Sequence, residues 1–299
     1  MFQYKPAICY SGYRDGQSPI TKIYPSDAEV LEDLILLSKH FGYIRMYDIS
    51  KHAESVLRVI TEHHVPLKVM LGIEPKGEIS NPNCPWGGIY SEEEIQQHKS
   101  TNIEQLDKVA LLANRYKSIV LAISIGNENT AFWHPNKMNA ATLVEHAKYL
   151  KSITDLPITF CEGAHEWRAQ GTELAKIVDF ISIHVYPLWQ RIPYDQAVDA
   201  TIDEYHRTKD AFPDKPIIFT EFGWTTSATE QMDPTQATET YHKSYLNQMI
   251  EWSKKNKVTM FIFEAFDEPW KGGTDPMEAE KHWGIYKVDR KGKSWISQF

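Results

Sequence analysis

The chain has 299 residues, of which 42% are apolar and 24% charged, and its formal net charge is −8. This composition is ordinary for a globular protein and no run approaches about 18 apolar residues, so intrinsic disorder and a membrane span are excluded. The acidic balance gives no electrostatic footprint for nucleic acid or an anionic membrane, and neither is expected as a partner. Aromatic residues, at 12%, are frequent and need a reason beyond core packing.

Eight short β-rich runs alternate with amphipathic helical patterns along the chain. The predicted strands cover residues 7–10, 43–47, 67–72, 119–125, 157–161, 180–185, 216–220 and 258–263. Predicted helices between them include residues 27–39, 103–116, 142–152, 197–210 and 235–255. The longest gap, residues 74–101, is rich in proline and glycine and predicts an elaborated third loop, in which Ser91 and Glu94 form a helix capping box.

This alternation favours a single (β/α)₈ TIM barrel of the α/β class. The strands recur about every 36 residues, roughly the size of a βαβ unit. Near-continuous apolar runs such as residues 120–125 indicate strands buried on both faces, as parallel sheets require. An open doubly wound sheet is the structural alternative, but it needs a glycine-rich phosphate turn after the first strand, and Gly12 and Gly16 do not form one.

No linker or low-complexity tract interrupts the series, so residues 1–299 are predicted to form one catalytic domain, acting as a monomer. The N-terminus has no secretory signal, which is typical of a cytoplasmic protein or of a chain whose signal has been removed. No metal, nucleotide or other cofactor is expected. The cysteines and histidines lack the spacing of metal ligands and are predicted to be core or surface residues without a catalytic role, and the sequence has no phosphate-binding Walker loop. These cysteines and histidines are Cys9, Cys84, Cys161, His63, His64, His165 and His184.

The predicted strand ends carry acidic and aromatic residues, and barrel enzymes place their active sites at these ends. Glu128, preceded by Asn127, follows the fourth strand, and Glu221 follows the seventh. Two carboxylates facing each other across a barrel mouth suit glycoside hydrolysis by double displacement. Aromatic rings around them can stack on the apolar faces of sugars. The candidate sugar-binding aromatic residues are Tyr10, Tyr47, Tyr186, Trp133, Trp167, Trp189, Trp224 and Trp270.

Four stretches, residues 123–128, 180–189, 215–224 and 263–271, resemble glycoside hydrolase family 17, the β-1,3-glucan-active barrels of the Asn-Glu clan. The resemblance is greatest to the bacterial branch, which includes hydrolases and transglycosylases. It implies that Glu128 is the acid/base and Glu221 the nucleophile. It also implies that Asn127 binds the sugar 2-hydroxyl and that Arg45 holds Glu221 ionised.

The same resemblance assigns Tyr186 to a position beside the nucleophile. It matches Glu264 and Lys271 to an acidic and basic pair on the last loop, which positions Glu128, binds sugar hydroxyls or is a structural ion pair. The expected function is therefore a retaining, endo-acting hydrolase of laminarin-like β-1,3-glucan. Two alternatives stay open: a β-1,3-glucan transglycosylase that uses the same two glutamates, and a non-catalytic glucan-binding barrel.

Overall fold

A computed structural model describes residues 3–293, and their parallel strands close into a barrel in which each strand pairs with the next in sequence. The first and last strands also pair with each other, through Ala7 with Phe261 and Ile8 with Ile262. The predicted (β/α)₈ barrel is therefore confirmed. The strands are β1 (Ala7–Cys9), β2 (Tyr43–Arg45), β3 (Lys68–Gly72), β4 (Val120–Asn127), β5 (Ile158–Gly163), β6 (Ile181–Val185), β7 (Ile217–Phe222) and β8 (Met260–Ile262).

Helices cover the outside of the barrel, and three of them were absent from the predicted set: α2 (Lys51–Glu62), α5 (Ala164–Gln170) and α6 (Thr172–Ile177). The predicted third loop is shorter than expected, because α3 begins at Glu92, where Ser91 and Glu94 form the predicted capping box. Within residues 3–293, no helix has the length and apolar character needed to cross a membrane. The helices are α1 (Asp27–Ser38), α2 (Lys51–Glu62), α3 (Glu92–Arg115), α4 (Ala140–Ile153), α5 (Ala164–Gln170), α6 (Thr172–Ile177), α7 (Tyr194–Ala211) and α8 (Glu239–Asn256).

The strands are buried on both faces, as their apolar sequences predict. In β4, every residue from Val120 to Gly126 is buried, because one face fills the barrel interior and the other contacts the helices. The ladder register shifts in four strand pairs: β3 with β4, β4 with β5, β6 with β7, and β7 with β8. Such irregularities change the direction of side chains at barrel rims, and each of these pairs includes β4 or β7, the strands that carry the two facing glutamates.

A buried carboxylate, Asp33 on α1, ties the two ends of the chain together. Its oxygens accept hydrogen bonds from Arg290 at 2.7 and 2.8 Å, from Arg14 at 3.1 Å and from the Tyr10 hydroxyl at 3.1 Å. Arg290 also donates to the carbonyl of Gly12 at 2.8 Å. The cluster therefore fixes the loop after β1 and the segment after β8 against the same helix.

We expect Asp33→Ala to lower the free energy of unfolding by about 3–5 kcal/mol, because it leaves the Arg290 guanidinium, whose side chain is 5% exposed, without its carboxylate. Urea denaturation measures this loss. The matched control is Asp203→Ala, which removes an exposed carboxylate 3.9 Å from Arg207 and should change stability by less than about 0.5 kcal/mol. Equal losses in the two variants would contradict a structural role for the Asp33 cluster.

Candidate active site

Glu128 and Glu221 lie at the carboxyl ends of β4 and β7, on opposite sides of the barrel mouth. One carboxylate oxygen of Glu128 lies within 4.8 Å of one of Glu221. Retaining glycosidases hold their two carboxyl groups about 5–5.5 Å apart, whereas inverting enzymes need about 6.5–9.5 Å to admit a water molecule. The separation therefore suits a reaction in which one carboxylate attacks the sugar directly.

Three donors hold the carboxylate of Glu221. Arg45 Nη1 and the Tyr47 hydroxyl donate to Oε1 at 2.6 and 3.0 Å, and the Tyr186 hydroxyl donates to Oε2 at 2.5 Å. Burial alone would raise the pKa of Glu221, but the charges of His184 and Arg45 and the hydrogen bond from Tyr186 lower it below its usual value. Glu221 is therefore an anion at neutral pH.

Arg45 is 2% exposed and links both sides of the mouth. Its Nη1 also donates to the carbonyl of Thr220 at 3.1 Å, and its Nη2 donates to Oδ1 of Asn127 at 2.5 Å. The guanidinium lies 4.3 Å from the ring centre of Tyr47, which follows it by two residues and so lies on the same side of the strand. These contacts fix the cation in one orientation beside Glu221.

His184 on β6 lies between the two glutamates, a position that the sequence analysis missed. Its Nδ1 lies 2.8 Å from Oε1 of Glu128 and 3.4 Å from Oε2 of Glu221. Burial would lower the pKa of His184, but the Glu221 charge and hydrogen bonds with Cys161 and Glu128 raise it to about 10. Nδ1 therefore carries a proton at neutral pH and donates a hydrogen bond to the Glu128 carboxylate.

Glu128, His184 and Glu221 are also the one group of side chains in residues 3–293 whose donor atoms could hold a metal ion. A divalent cation there would replace the proton on His184 Nδ1 and lie beside the Arg45 guanidinium, which already neutralises Glu221. Two adjacent positive charges would repel each other in this buried setting. The donor set therefore fits a proton better than a metal.

The backbone of Glu128 is left-handed, with φ of 55°, a conformation that costs a non-glycine residue about 1–3 kcal/mol. Hydrogen bonds on both sides compensate for it. The Glu128 N–H donates to the Cys161 carbonyl at 2.8 Å, and the Asn127 N–H donates to Oδ1 of Asn129 at 2.8 Å. This turn directs the carboxylate of Glu128 into the mouth, where it faces Glu221.

A second buried glutamate, Glu162 at the end of β5, holds the loop that follows Glu128. Its Oε2 accepts hydrogen bonds from the N–H and the hydroxyl of Thr130 at 2.9 and 2.7 Å, and its Oε1 accepts the N–H of Gly163 at 2.7 Å. Burial and the charge of Glu128 raise the pKa of Glu162 to about 8. Sequence reasoning could not assign this role, because the partner loop follows a different strand.

The sequence is similar to those of known glycoside hydrolases. The model of the BtgE/BtgC glycoside hydrolase domain matches residues 7–284. The chain belongs to this glycoside hydrolase family. A glucan 1,3-beta-glucosidase of Arthroderma benhamiae is 24% identical over 89% of this chain and 83% of that protein. A probable glucan endo-1,3-beta-glucosidase, btgC, of Aspergillus clavatus is 27% identical over 94% of this chain, which spans only 41% of that relative.

Solved structures share the fold of this glycoside hydrolase. An endo-laminarinase from Formosa Hel1_33_131 superposes with a TM-score of 0.83 at 22% identity, covering 98% of this chain and 86% of that one. A glycoside hydrolase family 17 β-1,3-glucanosyltransferase from Rhizomucor miehei superposes with a TM-score of 0.75 at 20% identity, covering 97% and 96%.

Three of the predicted sugar-binding aromatic residues of this glycoside hydrolase are buried, and their assignment is corrected. Tyr10 and Trp167 are 1% exposed and Trp224 is 0% exposed. The Tyr10 hydroxyl donates to Asp33, and the indole nitrogen atoms of Trp167 and Trp224 donate to backbone carbonyls at 2.9 and 2.8 Å. Their rings have no face open to a sugar because they pack inside the protein.

The other three tryptophans are accessible from the barrel mouth or its rim. Trp133 and Trp270 are half-buried, and Trp189 is 38% exposed. Trp270 donates its indole N–H to Glu268 at 3.1 Å and lines a cavity of about 270 Å³ with Arg14 and Gln17 from the loop after β1. Its ring is thus held in place at the edge of a space that can accept a ligand.

Lys271 and Glu264 form the predicted ion pair on the loop after β8, at 2.9 Å. Glu268 also pairs with Lys271, and the ammonium lies 4.6 Å from the centre of the Phe263 ring. That ring lies edge-on to Tyr186, with 5.7 Å between ring centres. The Lys271–Glu264 ion pair is therefore linked to the active site through the Phe263 ring, which packs against Tyr186, the hydrogen-bond donor to Glu221.

Glu280 is a further acidic group that the sequence analysis missed. Burial raises its pKa; the Lys271 charge opposes this effect, whereas the charges of Glu128 and Glu221 add to it. It lies on a short 3₁₀ helix, Ala279–Lys281, far from any predicted strand end. No pattern in the sequence marked that segment as part of the mouth.

We expect Arg45→Gln to raise the pKa of Glu221, because it removes an adjacent cation that favours the carboxylate. A ¹³C NMR titration of the glutamate carboxyl groups measures the shift. Arg45→Lys, which keeps a positive charge, should show a smaller increase. An unchanged Glu221 titration in Arg45→Gln, with the fold intact by circular dichroism, would contradict the electrostatic role of Arg45.

Proposed function

We propose that this chain, acting as a monomer, hydrolyses β-1,3-glucan internally and with retention of configuration. Glu221 is the nucleophile and Glu128 the acid/base. The observation that carries the proposal is the pair of carboxylate oxygens within 4.8 Å of each other, one of them held as an anion by Arg45 at 2.6 Å. The names of its relatives and neighbours, glucan 1,3-beta-glucosidase, glucan endo-1,3-beta-glucosidase and endo-laminarinase, support the linkage and the internal cleavage.

In the first step, an oxygen of Glu221 attacks the anomeric carbon and forms a glycosyl ester, while the bond to the leaving oxygen breaks. Glu128 gives its proton to that oxygen. His184 holds a proton 2.8 Å from the same carboxylate, so the pair keeps a proton available at the leaving-group side. Arg45 and Tyr47 both donate to Oε1 of Glu221, and these hydrogen bonds hold the attacking carboxylate in one orientation.

In the second step, Glu128 accepts a proton from water as the water attacks the anomeric carbon, and the ester bond to Glu221 breaks. The two displacements restore the original configuration. Arg45 engages Oδ1 of Asn127 at 2.5 Å, so the amide N–H groups of Asn127 are directed to the sugar. A hydrogen bond from them to the 2-hydroxyl strengthens as positive charge develops on the ring.

The second candidate function is glucan transfer, in which a sugar hydroxyl replaces water in the second step. The likeness to the Rhizomucor miehei glucanosyltransferase favours it, because that neighbour is covered over 96% of its length. Products of laminarihexaose distinguish the two. Products longer than the substrate at early times indicate transfer, whereas shorter products alone indicate hydrolysis.

We expect Glu221→Ala to lower kcat by about 10⁴-fold or more and Glu128→Ala by about 10²–10⁴-fold. Added azide should separate the two roles on an aryl β-laminaribioside. In Glu128→Ala, azide attacks the glycosyl-enzyme and gives the β-glycosyl azide, whereas in Glu221→Ala it replaces the nucleophile and gives the α-azide.

Glu145→Ala serves as the control, because this carboxylate on α4 is exposed and pairs with Lys148 at 2.8 Å on the outside of the barrel. Its activity should equal that of the wild type, and azide should give it no glycosyl azide. Wild-type activity in Glu221→Ala, or the same azide anomer from both variants, would refute the assigned roles.

A further inference from the structure

We propose that an exposed aromatic surface on the loops after β3 and β4 is a second, distal binding site for the glucan chain. We call it the aromatic platform; it consists of Trp86, Ile89, Phe132 and Trp133. The inference rests on the proposed function, because it takes the same glucan as ligand, but it concerns sugar units remote from the bond that breaks.

The platform contains several exposed apolar side chains rather than one. Trp86 is 66%, Ile89 65% and Phe132 66% exposed. The rings of Trp86 and Trp133 lie 6.2 Å apart between centres, at 47° to each other. Isolated exposed apolar residues need no explanation, whereas grouped aromatic residues on a surface mark a binding site.

The two loops that carry the platform are fixed to each other by a buried side chain. Asn81 is 1% exposed, and its Nδ2 donates to the carbonyls of Phe132 at 2.8 Å and His134 at 2.9 Å. Its backbone N–H donates to the carbonyl of Gly88 at 2.6 Å. Because the frame is held in this way, little conformational freedom is lost when a ligand binds.

The platform is continuous with the catalytic site. The ring of Trp133 lies 5.5 Å from that of His134. Burial lowers the pKa of His134 below its usual value, and the nearby charge of Glu128 opposes this effect. The Ala131 N–H donates to the Glu128 carbonyl at 3.1 Å. Both loops follow the carboxyl ends of neighbouring strands, so the platform lies at the barrel end where the two catalytic carboxylates lie.

A glucan chain fits these features. Its sugar rings present apolar C–H faces that stack on tryptophan and phenylalanine, and it carries no charge, so it needs none on the platform. A polymer bound at Glu128 also continues beyond the reacting sugar, whereas a small substrate would end there. A second copy of this chain is the other occupant that such a surface could take, and the experiment separates the two.

The test compares a long and a short substrate in the double variant Trp86→Ala/Phe132→Ala. We expect kcat/KM on laminarin to fall about tenfold, equivalent to about 1.4 kcal/mol of binding. With an aryl β-laminaribioside, which offers only two sugar units beside the bond that breaks, kcat/KM should stay at the wild-type value. The matched control is Ile35→Ala/Leu111→Ala, which removes two exposed apolar side chains from α1 and α3 and should affect neither substrate.

Equal losses on both substrates, or no loss on either, would overturn the platform and leave the proposed function intact. Size-exclusion chromatography gives a second criterion. A wild-type dimer that the double variant converts to a monomer would assign the surface to a contact between copies and overturn the inference. If the wild type cleaves neither substrate, the proposed function fails, and the inference that rests on it fails too.

Discussion

The buried ion pair between Arg45 and Glu221 is the interaction on which the rest of the barrel mouth depends. A charge in a protein interior is costly unless a partner of opposite sign and good hydrogen bonds accompany it. Here the Thr220 carbonyl and Oδ1 of Asn127 accept further hydrogen bonds from the Arg45 guanidinium, and the Tyr186 hydroxyl donates to the second oxygen of Glu221. The surrounding polar side chains are thus arranged around one pair of charges, and the electrostatic environment exists before any sugar binds.

The residues that stabilise the barrel and those that act at its mouth are largely separate. Asp33 joins α1 to the two ends of the chain through Arg14 and Arg290, away from Glu128. At the mouth, by contrast, the structure contains a left-handed glutamate and shifts in ladder register. Departures from regular geometry are expected where side chains must be aimed at a substrate rather than packed.

The sequence predicted the strand series and the two facing glutamates, because parallel strands of a barrel all end at the same face. The partnership of Arg45 with Glu221 came from the resemblance to family 17. The sequence analysis missed His184, although this residue lies two positions before Tyr186 and so on the same face of β6. The spacing of His184 from other histidines bears only on metal binding, whereas its partners in the structure follow β4 and belong to β7. Contacts of that kind depend on the register between strands, which a single sequence does not contain.

The aromatic residues show a second limit. Trp167 and Trp189 both follow strand ends, yet the first is 1% and the second 38% exposed. Position along the chain determined which loop each residue joins. The direction of each ring was determined by the helices and loops packed around it, for example by the Ser182 carbonyl that accepts the indole N–H of Trp167.

The left-handed backbone of Glu128 has a consequence for how this protein can change. Glycine adopts that conformation without steric penalty and asparagine tolerates it better than glutamate does, so the most stable chain of this fold would not carry its acid there. Random substitution at this position can therefore make the protein harder to unfold while it loses its chemistry. Selection for thermal resistance alone would drive the enzyme toward an inert barrel, and only selection for turnover keeps the glutamate in place.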